Sequence, residues 1–75
     1  MFQEALQLEP DSVPSLYHLG LMQHADRQYL AAVDAFNAVI DLEPNDRRVW
    51  ECRGLVYQDL GDHPRAILDF DRAIE

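Results

Sequence analysis

Apolar residues recur along this chain at helical intervals. Leu16, Leu19, Gly20 and Gln23 stand at i, i+3, i+4 and i+7, and Trp50, Arg53, Gly54 and Tyr57 repeat that spacing. Ala32, Phe36 and Val39 make a second stripe, echoed by Ala66, Phe70 and Ala73. Such spacing puts each set on one helix face. No stretch alternates apolar and polar residues strictly enough for a strand. Punctuation sets the bounds. Ser12, Asp46 and Asp62 are placed to cap helices. Pro14 and Pro64 suit first turns, where a missing N–H costs nothing. Pro10 and Pro44 end apolar helical runs. Leu60-Gly61-Asp62 marks a tight turn, whereas the comparable Asp26-Arg27-Gln28 has no Gly and leaves its shape open. The pattern predicts about five helical segments: a partial helix near 2–9, then 13–25 with 29–42, and 47–60 with 63–75. Connections this short make successive helices neighbours.

The chain also repeats itself. Shifted by 34, Pro10 falls on Pro44 (10 + 34 = 44), Gly20 on Gly54, Leu21 on Leu55, Ala32 on Ala66 and Ile40 on Ile74. Phe2, Phe36 and Phe70 form a series at the same interval, and Leu8-Glu9-Pro10 returns as Leu42-Glu43-Pro44. Self-similarity at this period marks a solenoid of stacked helix pairs. Gly20 and Gly54 each cost about 1 kcal/mol in helix propensity. Close helix approach offsets that cost. Ala32 and Ala66 are expected to meet the two glycines, and Phe36 and Phe70 to fill the space between successive pairs.

These residues resemble the tetratricopeptide repeat, W-x2-L-G-x2-Y, then A-x3-F, then P, in 34 positions. The second repeat carries Trp50, Gly54, Tyr57, Ala66, Phe70 and Ala73. The first carries Leu19, Gly20, Ala32, Phe36 and Pro44, with Leu16 and Gln23 replacing aromatics. Phe2, Ala5 and Pro10 are similar to the tail of a preceding repeat. The resemblance implies an all-α fold, an αα-hairpin superhelix. It divides the chain into the end of one repeat (1–12), a complete repeat (13–46) and a nearly complete one (47–75). Arg53 departs from the pattern's Leu, and an Arg on a packing face needs a carboxylate. Asp69 on the facing helix is the expected partner. Gln23 is expected to weaken its helix pair.

The charge narrows the partners. Fourteen acids against six bases, all Arg, give a net charge of −8. Nucleic acid calls for a basic patch, and anionic lipid repels an acidic chain. The expected partner is a neutral or basic protein or peptide. The single Cys52 rules out an intrachain disulfide. No apolar run is long enough to span a bilayer, and the start lacks a secretory signal's basic-then-apolar order. A cytoplasmic setting is the expectation.

Catalytic chemistry finds no foothold. His18 and Cys52 occupy equivalent places on the two first helices and are placed to face each other, yet neither an orienting group nor an oxyanion hole accompanies them. His18, His24 and His63 lack metal-ligand spacing. Asp69 and Asp71 point to different sides of one helix, and no Gly-rich phosphate loop is present. The expectation is a non-enzyme with no cofactor and no metal.

The resemblance implies a concave face lined by the first helix of each pair. On this chain that face takes in Tyr17, His18, Leu21, His24, Arg48, Glu51, Cys52, Leu55 and Gln58. Some family members hold a C-terminal carboxylate there with Lys, Asn and Arg. This chain offers Tyr17, Leu21, Glu51 and Leu55 and has no Lys, so an apolar–polar groove for a helix or extended peptide fits better. The alternative is an assembly element whose exposed repeat edges pair with other copies, forming a homo-oligomer.

Overall fold

Ser12 opens the first helix of the computed structural model, which describes residues 12–74. Its hydroxyl accepts from the Ser15 backbone N–H at 3.3 Å, and Pro14 lies in the first turn. Four helices follow in chain order: α1 (Val13–Ala25), α2 (Tyr29–Leu42), α3 (Arg47–Leu60) and α4 (His63–Ile74). Asp46 caps α3 by accepting from Arg48 N–H at 3.1 Å, and Asp62 caps α4 by accepting from Arg65 N–H at 3.4 Å. Each cap satisfies a backbone donor that the helix itself leaves free. Gln28, before α2, makes no such side-chain bond. The helix expected near 2–9 lies outside the described residues.

The turns within the two hairpins share one architecture. In the second, Gln58 and Tyr57 carbonyls accept from Gly61 N–H and Asp62 N–H, and Gly61 takes the left-handed conformation at φ 85°. In the first, Gln28 N–H donates to Gln23 O at 2.8 Å, matching Asp62 N–H to Tyr57 O at 2.9 Å. The six-to-one bond closes both helices. Arg27 supplies the left-handed residue here, at φ 63°. The turn without a glycine is therefore the same turn, formed at the cost of crowding a Cβ.

Packing follows the chain: α1 lies on α2, α2 on α3, α3 on α4, and α1 also touches α3. Ala32, Val33, Phe36 and Val39 of α2 join Val49 and Val56 of α3 in one buried cluster. Phe36 is fully buried, which contributes on the order of 2–3 kcal/mol. Its ring meets Tyr17 at 6.1 Å between centroids.

The nearest neighbour of each helical glycine is a Phe ring. A Cβ on Gly20 would stand 2.5 Å from the Phe36 ring, and one on Gly54 would stand 2.8 Å from the Phe70 ring. Each Phe thus lies across the Gly of its own hairpin, rather than filling only the gap between hairpins with Ala against Gly. Spacing along the sequence identifies the shared face. It does not say which side chain on that face comes nearest the glycine, and the long Phe36 does.

Candidate protein-interaction face

The first helices of the two hairpins, α1 and α3, meet along a seam with two rungs. The Tyr17 hydroxyl lies 3.4 Å from Cys52 Sγ. One turn pair further on, His24 Nε2 lies 2.7 Å from Asp59 Oδ2. Both rungs join residues 35 apart. Equivalent residues, 34 apart, point the same way on stacked helices and so do not face each other. The seam uses the next residue round the helix. This corrects the expected pairing of His18 with Cys52: His18 is exposed, and Tyr17 takes the place opposite the thiol.

The Tyr17 phenol is pushed up to about 12 from 10.0, first by its hydrogen bond with Cys52 and then by burial. Arg48 stacks over the same ring at 5.5 Å from its centroid. Arg48 is itself tethered to Asp46, its Nε and Nη2 donating to the two carboxylate oxygens at 3.2 Å each. That bond holds the Asp46 carboxyl below its usual range. The His24 ring meets Tyr29 edge-on at 5.8 Å.

Of the nine residues expected on this face, the structure brings Tyr17, Arg48 and Cys52 into contact. His24 is half-buried and bonds Asp59, a residue the sequence did not single out. His18, Leu21, Glu51, Leu55 and Gln58 are exposed and make no mutual side-chain hydrogen bonds among the described residues. Leu21 is 38% exposed and Leu55, its repeat equivalent, 43%. Clefts of about 310, 350 and 320 Å³ lie elsewhere and are lined by other residues.

The expected ion pair of the second hairpin is present. Arg53 Nε and Nη2 donate to Asp69 Oδ2 and Oδ1 at 2.9 and 2.8 Å. Its Nη1 donates to Asn37 Oδ1 at 2.6 Å, tying α2 to α3. Asp69 is buried, and the bidentate bond raises the Arg53 pKa further above its ordinary value. Gln23, at the aromatic's place in the first repeat, has a buried carbonyl oxygen with no hydrogen-bond partner among the described residues.

Among the described residues, no group of His, Cys, Asp and Glu is arranged to hold a metal ion. No described helix is long and apolar enough to cross a membrane.

The deciding comparison is with protein families: the tetratricopeptide repeat model matches residues 1–47 and 25–75, which together span the chain. The chain belongs to the tetratricopeptide repeat family. Among solved structures it is similar to the one described as the crystal structure of MamA, with a TM-score of 0.84 and 26% identity. That likeness covers 96% of this chain and 42% of the other, so the chain spans less than half of its relative's length. The comparison with curated proteins gives no match. Tetratricopeptide repeats are helical scaffolds for protein–protein interaction, and the αα-hairpin stack described above is that scaffold.

Proposed function

We propose that this chain is a protein-interaction module that takes a neutral or basic peptide or helix on the face formed by α1 and α3. The exposure of Leu21 and Leu55 at equivalent positions carries the reading: two leucines one repeat apart leave apolar surface open to solvent. Tyr17 and Arg48 on one side, and Glu51 and Gln58 on the other, surround them with hydrogen-bonding groups. A peptide crossing the seam finds an apolar contact and a polar rim in each repeat. The net charge of −8 favours a basic ligand through long-range attraction. The test is peptide-display selection against the chain, repeated on a Leu21→Ala/Leu55→Ala variant. Peptides rich in Arg or Lys that lose affinity for the variant support the proposal. Selected peptides that bind both proteins equally contradict it.

A second reading, self-association through a repeat edge, rests on α4. Val33 and Ile40 of α2 belong to, or pack against, the core that α3 completes. Their equivalents on α4, Ile67 and Ile74, are 58% and 78% exposed. An apolar stripe of this kind pairs readily with another helix. Light scattering over a concentration series discriminates: a dimer abolished by Ile67→Asp/Ile74→Asp supports the edge reading, and a constant monomer removes it.

A further inference from the structure

α3 packs on both α2 and α4, and its side toward α4 forms the floor of a groove. Trp50 and Tyr57 stand on that floor, two turns apart. A cleft of about 350 Å³ runs over both, and a second of about 310 Å³ continues it past Trp50 toward Arg47. Four of the chain's six bases line the two clefts: Arg47 and Arg53 from α3, Arg65 and Arg72 from α4.

The aromatic floor and the cationic rim are joined. Arg53 and Arg72 lie 5.0 and 4.8 Å from the Trp50 centroid. Arg53 and Arg65 lie 5.6 and 5.8 Å from that of Tyr57. The Trp50 indole N–H donates to the Pro44 carbonyl at 2.9 Å, which fixes the ring. Arg53 is committed to Asp69 and Asn37, and Arg65 leans on Asp62 at 3.4 Å. Arg47 and Arg72 have no carboxylate partner among the described residues. An otherwise acidic chain thus gathers four of its six bases around one groove.

We propose that this cleft binds an acidic segment of a partner protein. Arg72 and Arg47 take its carboxylates, because a guanidinium fork matches a carboxylate with two parallel hydrogen bonds. Trp50 and Tyr57 hold the guanidinium groups in place by stacking with them. The site is separate from the α1–α3 face. Leu55 follows Trp50 by five residues, which turns it roughly 140° round the helix. Nucleic acid is the competing polyanion. Its backbone demands a basic surface over many phosphates, and the chain's overall charge opposes that.

Trp50 is the sole tryptophan, so its fluorescence reports on the cleft alone. The experiment titrates the chain with a short oligoglutamate peptide at low ionic strength. The proposal expects a change in Trp50 emission that salt suppresses and that oligolysine does not produce. Arg47→Gln/Arg72→Gln weakens binding roughly tenfold or more, with unchanged helical circular dichroism. Met22→Ala, an exposed change on α1 away from the cleft, binds as the parent does. An unchanged emission, or equal binding by the double Arg variant, overturns the proposal. So does an oligothymidine that binds more tightly than oligoglutamate.

Discussion

Arg53 and Asp69 stand where the first repeat has Leu19 and Ala35 (53 − 34 = 19; 69 − 34 = 35). The second hairpin has exchanged an apolar pair for an ion pair at one packing position. Breaking such a pair is costly because a charge is left without its counterpart, whereas replacing both members with apolar residues is often neutral. Asp69→Ala is expected to cost about 3 kcal/mol, at the low end of the range because Arg53 keeps Asn37 and some solvent. Arg53→Leu/Asp69→Ala, which restores the first repeat's pattern, is expected to fall within about 1 kcal/mol of the parent. Urea unfolding of the four proteins of this cycle measures the coupling. A double variant as unstable as Asp69→Ala contradicts the account. The pair was legible in the sequence because Arg on a packing stripe calls for a carboxylate within reach. The Tyr17–Cys52 contact was not, since the repeat register itself points to His18. Its signature is a phenol that ionises near 12 instead of 10.0. Because the folded value is raised, the contact's stabilisation is complete below pH 10 and is lost as pH rises toward 12. Cys52→Ala is expected to return the phenol toward its ordinary range in a spectrophotometric titration. A titration unaltered by that substitution contradicts the assignment.

The helices themselves were the most legible elements. Ser12, Asp46 and Asp62 mark starts that no competing signal disputes, and Pro14 and Pro64 reinforce two of them. The turn at Arg27 was illegible for a physical reason. A left-handed residue is announced by Gly, and an Arg forced into that region leaves no trace in composition. Arg27 and Gly61 are equivalent, since 27 + 34 = 61, and share positive φ. The strain at Arg27 is removable. Arg27→Gly is expected to stabilise the chain by up to about 1 kcal/mol, the relief of strain exceeding the entropy that Gly adds to the unfolded state. Gly61→Ala, with open space around its Cβ but φ 85°, is expected to cost about 1 kcal/mol. Thermal unfolding by circular dichroism checks both signs. A destabilised Arg27→Gly would mean that the Arg side chain contributes more than its backbone costs. The depth of packing was equally hidden: periodicity grouped Gly20 with Ala32 and Phe36 on facing stripes without revealing that the Phe ring crosses to the Gly.

At the scale of the whole molecule, two stacked hairpins present surfaces of different character. The α1–α3 face exposes Leu21 and Leu55, the groove between α3 and α4 gathers Arg around Trp50, and α4 exposes Ile67 and Ile74. The first is what the family resemblance leads one to expect, and its two equivalent leucines, Leu21 and Leu55, are exposed. The sequence concealed the second because the arginines come from two helices whose juxtaposition only the fold supplies. The most direct test of the interaction-module reading is to map backbone amide shifts in the isotopically labelled chain on adding a peptide selected by display. The largest shifts are expected to cluster at Tyr17, Leu21, Glu51, Leu55 and Gln58. Shifts confined to Ile67 and Ile74, or to Trp50 and Arg72, with the α1–α3 face unmoved, would contradict that reading.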